Sequence, residues 1–167
     1  MNKQEIYQLL ERERIPHQVT EHIAVYNMEE MSAICIPHPE ADAKNLFIRD
    51  DKKQNYYLIT VKGDKRVNLK QFRRDNNTRP LGFASAEELM RFLGLNPGSV
   101  TPFGLLNDRE CKVQFFLDEA FLEDPGLIGV HPNDNTATVL MNTEDLLRLI
   151  REHGNEIHLI SIEAGEA

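Results

Sequence analysis

The chain has 167 residues, 41% hydrophobic and 28% charged, which suits a single domain, 1–167, with a sizeable core. No apolar run approaches the ~18 residues of a membrane-crossing helix, and Met1-Asn2-Lys3-Gln4-Glu5 lacks the apolar core of a secretion signal. The only two cysteines, Cys35 and Cys111, are far apart, so the expectation is a cytoplasmic protein, off the membrane, without a disulfide framework.

From the N-terminus, Asn2 caps a helix running to Arg12, with Ile6, Leu9 and Leu10 on one face. Residues 17–22 alternate as a strand does. Asn27 with Glu30 three residues on resembles a capping arrangement for a short helix over 28–33. Strands are predicted over 44–49 and 56–61, and the polar turn Asp50-Asp51-Lys52-Lys53-Gln54-Asn55 makes them a hairpin. Asn68 caps a short basic helix over 69–74. Ser85 and Glu88 form a capping box for a helix over 86–93, which Gly94 stops. Strands over 112–117, 127–130 and 136–141 follow, the last two around the turn-rich His131-Pro132-Asn133-Asp134-Asn135. Asn142 or Thr143 caps a helix to His153, with Leu146, Leu147 and Ile150 inward and Gly154 at its end. A strand over 156–162 closes the fold, and 163–167 are expected to fray. The pattern is α/β, a single domain with a mixed, curved, mostly antiparallel sheet flanked by helices. Hairpins interleaved with helices disfavour a doubly wound parallel sheet.

Familiar catalytic signatures are absent: there is no Walker A loop, no G-x-G-x-x-G, no G-x-S-x-G and no H-E-x-x-H. Cys35-x-x-His38 has half of a metal-site spacing with no second half, so no metal or cofactor is expected. Three features remain. Lys44 sits in Ala41-Asp42-Ala43-Lys44-Asn45-Leu46-Phe47-Ile48, before an apolar run. It is either an edge-strand lysine whose stem lies along apolar surface or a positive charge aimed into a pocket. Gly98-Ser99-Val100-Thr101-Pro102 is either an ordinary loop after the Asn96-Pro97-Gly98 turn or a rigid source of backbone donors for a polarised carbonyl oxygen. His131-Pro132 is either a hairpin turn or a histidine at a pocket mouth, able to handle a proton or bond a ribose hydroxyl.

The net charge of −8 argues against a polyanion partner when taken whole, but its distribution argues otherwise. From Lys44 to Arg79 there are eleven basic residues against four acids, a local +7 that leaves −15 elsewhere. Such polarisation suits a protein that presents one face to a polyanion, although a solvated basic strip with no partner has the same composition.

Taken together, Ala43-Lys44-Asn45-Leu46-Phe47, Gly98-Ser99-Val100-Thr101-Pro102-Phe103-Gly104 and Gly129-Val130-His131-Pro132-Asn133 resemble the YbaK-like aminoacyl-tRNA deacylases. These are editing domains related to the insertion domain of bacterial prolyl-tRNA synthetase, and the resemblance is greatest to the free-standing alanyl-tRNA(Pro) deacylase branch (ProX/PrdX). It spans nearly the whole chain. It implies an essential lysine at Lys44 and a catalytic loop at Gly98, Ser99, Val100, Thr101 and Pro102. Substrate contacts would fall on Asn45, Phe103, Gly129 and His131. The implied function is hydrolysis in trans of mischarged tRNA, Ala-tRNA(Pro) above all. The alternative is a non-catalytic module of the same fold that binds tRNA or a synthetase. The acceptor stem would dock on Lys62, Lys65, Arg66, Lys70, Arg73, Arg74 and Arg79, with prolyl-tRNA synthetase as a further partner.

Overall fold

The structure, a computed structural model, describes residues 1–162; the expected fraying of 163–167 lies outside the described residues. In chain order the elements are α1 (Lys3–Arg12), β1 (His17–Glu21), α2 (Met28–Ser32), β2 (Ala43–Asp50), β3 (Tyr56–Lys62), α3 (Leu69–Asn76), β4 (Leu81–Phe83), α4 (Ala86–Leu93), β5 (Val113–Asp118), β6 (Leu127–Val130), β7 (Ala137–Asn142), α5 (Thr143–His153) and β8 (Ile157–Ile160). Three 3-10 helices, Pro39–Ala41, Pro102–Asn107 and Glu119–Leu122, complete them.

The mixed α/β class holds, but the strands divide between two sheets. One has three antiparallel strands in the order β1-β7-β6; the other has five in the order β4-β2-β3-β5-β8. In the larger sheet β2 pairs antiparallel with β3 and β4, while β5 lies parallel to both β3 and β8. Antiparallel pairs thus predominate over the two sheets. A single parallel bridge, Asp42 to Gly129, ties the entry of β2 to β6 and so joins the sheets at one seam.

Local chemistry explains the elements. Asn2 and Ser85 each accept from the N–H of the third helical residue, and Glu5 and Glu88 reach back to the cap, so both capping boxes form. Asn27 and Asn68 cap α2 and α3 in the same way. Asn142 stands at the start of α5 without a side-chain cap bond, and the Thr143 hydroxyl donates instead to the Phe121 carbonyl at 2.8 Å. Gly94 ends α4 at φ +65°, a left-handed turn that costs glycine nothing.

The central strand β3 is buried on both faces. Tyr56 and Leu58 join the main core, with Phe47, Phe92, Phe103, Phe115 and the inner face of α5. Tyr57, Ile59 and Val61 point the other way into a smaller core with Phe72 and Phe116. The period of two along one strand thus feeds two cores.

Candidate functional site

The seam between the sheets opens into a cavity of about 330 Å³. Lys44 and Asn45 at the start of β2, Gly98 and Val100 from the loop before the second 3-10 helix, and Gly129 and His131 at the end of β6 all line it. Three stretches far apart in the sequence thus meet at one place. Val25, Met28, Met31, Val100 and Val130 make much of the wall apolar.

Lys44 stands opposite Val61 and Asn45 opposite Thr60 in the β2–β3 ladder. The Lys44 ammonium donates to the Lys65 carbonyl at 2.6 Å, which holds the charge beside the cavity. Burial, and then the neighbouring Arg66, lower its pKa from the ordinary lysine value. No carboxylate lies within salt-bridge distance of Lys44 among the described residues, so its charge is left for a ligand. Asn45 Oδ1 accepts from the Thr60 hydroxyl at 2.6 Å, which orients its amide NH₂.

His131 is mostly buried, and burial is the main cause that pushes its pKa below the ordinary histidine value. Its Nδ1 lies 2.8 Å from the Ala137 carbonyl, so Nδ1 carries the hydrogen and Nε2 is left as an acceptor. The His22 ring meets it edge-on at 6.0 Å and is itself bonded to Thr138. A neutral, oriented imidazole suits hydrogen bonding to a ribose hydroxyl or an attacking water.

The loop 98–102 divides its work. Gly98 has φ +92°, and a Cβ there would stand 2.8 Å from the Tyr26 ring, so both its backbone angle and its neighbour require glycine. The Ser99 N–H is spent on the Asn96 carbonyl at 3.1 Å, whereas those of Gly98 and Val100 donate to no protein group among the described residues. Thr101 is fully buried; its hydroxyl donates to the His131 carbonyl at 2.6 Å and accepts from the Phe103 N–H. It therefore ties loop to histidine without facing the cavity. Pro102 starts the 3-10 helix. Phe103, expected as a substrate contact, is 0% exposed and belongs to the main core, so its ring supports the site from behind.

The basic strip also differs from the expectation in part. Lys65 is committed to the buried Asp118 carboxylate at 2.8 Å. Arg79 makes a two-pronged pair with Asp51 at 2.8 and 3.1 Å. Lys65 is thereby tied to a buried partner, whereas the Arg79 pair lies open to solvent. Lys62 lies over the Phe121 ring and donates to the Glu40 carbonyl. Arg66, Lys70, Arg73 and Arg74 remain exposed, the last three on α3, and Arg66 connects this surface to Lys44.

Sequence reasoning passed over Asp42, Tyr26 and Thr138, all of which line the cavity. Asp42 left a signal: it stands two residues before Lys44, and strand alternation puts such residues on one face. No group of three or more His, Cys, Asp or Glu is arranged to hold a metal among the described residues, and His38 is bonded instead to Glu40. No helix among them is long and apolar enough to cross a membrane.

Known proteins place this geometry. Residues 22–149 match the aminoacyl-tRNA editing domain family. The prolyl-tRNA editing protein ProX of Acetoanaerobium sticklandii is 36% identical over 160 residues, 96% of this chain and 97% of that protein. Prolyl-tRNA synthetase associated domain-containing protein 1 of Mus musculus is 33% identical over 166 residues, 95% of each. The crystal structure of a proposed trans-editing enzyme for prolyl tRNA synthetase superposes with a TM-score of 0.73 at 22% identity, covering 98% of this chain and 97% of the other, and shares the fold. On the matched residues and the full-length similarity to ProX, the chain belongs to the aminoacyl-tRNA editing domain family.

Proposed function

We propose that this chain is a trans-editing hydrolase that deacylates mischarged tRNA, with alanyl-tRNA(Pro) as its substrate, acting in the cytoplasm as one domain over 1–167. That it is an aminoacyl-tRNA deacylase rests on its family and on the editing role of its ProX relative. The observation that carries the finer reading is the meeting of Lys44, the free N–H groups of Gly98 and Val100, and a neutral His131 around one small, largely apolar cavity.

The substrate is an amino acid esterified to the terminal ribose. Water attacks the ester carbonyl carbon, negative charge grows on the carbonyl oxygen, and the bond to the ribose oxygen breaks. The products are the free amino acid and a ribose hydroxyl. The Gly98 and Val100 N–H groups receive the growing charge, and Lys44 supplies a positive field at the carbonyl or the terminal phosphate. A preorganised donor of this kind contributes roughly 3 kcal/mol. Asn45 and the Nε2 of His131 position the ribose or the water. No cysteine or serine lines the cavity among the described residues, so direct hydrolysis is preferred to an acyl-enzyme. In heavy-oxygen water the released alanine should carry one label in its carboxylate and the tRNA none; label in the tRNA would contradict carbonyl attack by water.

The apolar wall suits a methyl side chain. Excluding a larger ring by its bulk is easy, whereas rejecting a smaller group is limited to about 1–3 kcal/mol per methylene, so a small pocket fits removal of Ala with Pro spared. Acceptor-stem phosphates would bind Arg66, Lys70, Arg73 and Arg74, with prolyl-tRNA synthetase as a further partner suggested by the domain name of the mouse relative. Arg73→Glu with Arg74→Glu should weaken tRNA binding and flatten its salt dependence by about two phosphate contacts. Cleavage of an alanyl ester of adenosine alone should be unchanged. Binding measured across a salt series checks this, and tRNA affinity equal to wild type would place the docking face elsewhere.

A further inference from the structure

We propose that Asp42 binds the α-ammonium group of the aminoacyl ester, so that the site takes substrates with a free amino group and refuses N-acylated ones. This rests on the editing reading above. Asp42 is held rigidly: its N–H donates to the Pro39 carbonyl, its carbonyl accepts from Gly63, and it bridges to Gly129. The residue is 7% exposed and lines the cavity that holds Lys44 and His131. Its Oδ1 is buried with no hydrogen-bond partner, facing the space over Gly129, where an added Cβ would stand 3.3 Å away.

No cation among the described residues pairs with Asp42. Lys44 Nζ is on the Lys65 carbonyl, Lys62 on the Glu40 carbonyl and Lys65 on Asp118. The remaining charged neighbour on this side, Glu40, repels, and His131 across the cavity is neutral. Burial, then Glu40, raise the Asp42 carboxyl to about 7. A buried carboxylate without a partner is costly, and a cationic ligand would relieve that cost. In an aminoacyl ester the α-nitrogen lies about 2.5 Å from the carbonyl carbon. An ester whose carbonyl meets the Gly98–Val100 donors therefore brings its ammonium into this same cavity.

The test compares alanyl-tRNA(Pro) with N-acetyl-alanyl-tRNA(Pro) on wild type and Asp42→Asn. Binding of a non-hydrolysable alanylamido-adenosine, with and without N-acetylation, is measured alongside. Wild type should cleave the free-amino ester at least tenfold faster by kcat/KM. Asp42→Asn should lose tenfold or more on that ester, mainly through KM, while the slow cleavage of the acetylated ester stays the same. The amine probe should bind wild type more tightly than its acetylated form, and the variant should not distinguish them. Asp42→Asn removes a carboxylate that burial disfavours, so its melting temperature at pH 8 should equal or exceed that of wild type, which separates the effect from misfolding. Equal wild-type rates on the two esters, or equal losses on both in the variant, would overturn the proposal. Preferred binding of the amine probe without hydrolysis of any ester would support the ammonium site and overturn the editing activity.

Discussion

Replacing Lys44 by alanine should lower deacylation of alanyl-tRNA(Pro) by about 10²–10³-fold, mostly in kcat, with the fold intact. The ammonium is held at 2.6 Å by the Lys65 carbonyl and has no carboxylate partner among the described residues. Its charge thus contributes little to folding and is available to the reaction. Burial, and then Arg66, lower its pKa from the ordinary lysine value. Lys44→Arg keeps the charge but replaces a compact ammonium by a planar fork, so it should recover only part of the rate. Single-turnover release of labelled alanine measures the effect, and circular dichroism confirms the fold. A variant within tenfold of wild type would remove Lys44 from the chemistry.

Phe103→Ala should destabilise the protein by about 3–5 kcal/mol, the usual cost of deleting a fully buried aromatic ring, and lower the melting temperature by roughly 10 °C or more. Phe103 is 0% exposed, and its 3-10 helix packs against α4 and α5. That helix begins directly after Thr101, whose hydroxyl holds the His131 carbonyl. Loosening it therefore also lowers activity, through position rather than substrate contact. Urea and thermal unfolding check the stability. A melting temperature within two or three degrees of wild type would mean that the ring is not a core anchor and is free to meet substrate.

Much of the fold was legible because its signals are local. Asn2, Asn27, Asn68 and Ser85 announce helices through chemistry confined to four residues, and Gly94 ends one in the same way. The hairpin of β2 and β3 follows from two apolar runs and a polar turn. What depends on distant partners was not legible. The three-residue β4 is too short to show alternation, and it exists because it pairs with β2. The division into two sheets is set by β1 choosing β7 and by β5 lying parallel to β3.

The site divides along the same line. Lys44, Asn45, Gly98, Val100, Gly129 and His131 line one cavity. Phe103 reads as a motif residue, but only packing shows that its ring turns into the core. Lys65 and Arg79 count as basic in the sequence, and only the fold reveals that they pair with Asp118 and Asp51. Asp42 carries an ordinary carboxyl in the sequence; its burial and missing partner arise from the bridge to Gly129.

The most direct measurement is a panel of Ala, Cys, Ser and Pro esterified to tRNA(Pro), each incubated with the purified chain. Hydrolysis of alanyl-tRNA(Pro) far above the spontaneous rate, with prolyl-tRNA(Pro) spared, is the predicted result. No acceleration on any of the four, with tRNA binding retained, would contradict it and leave a non-catalytic binding module.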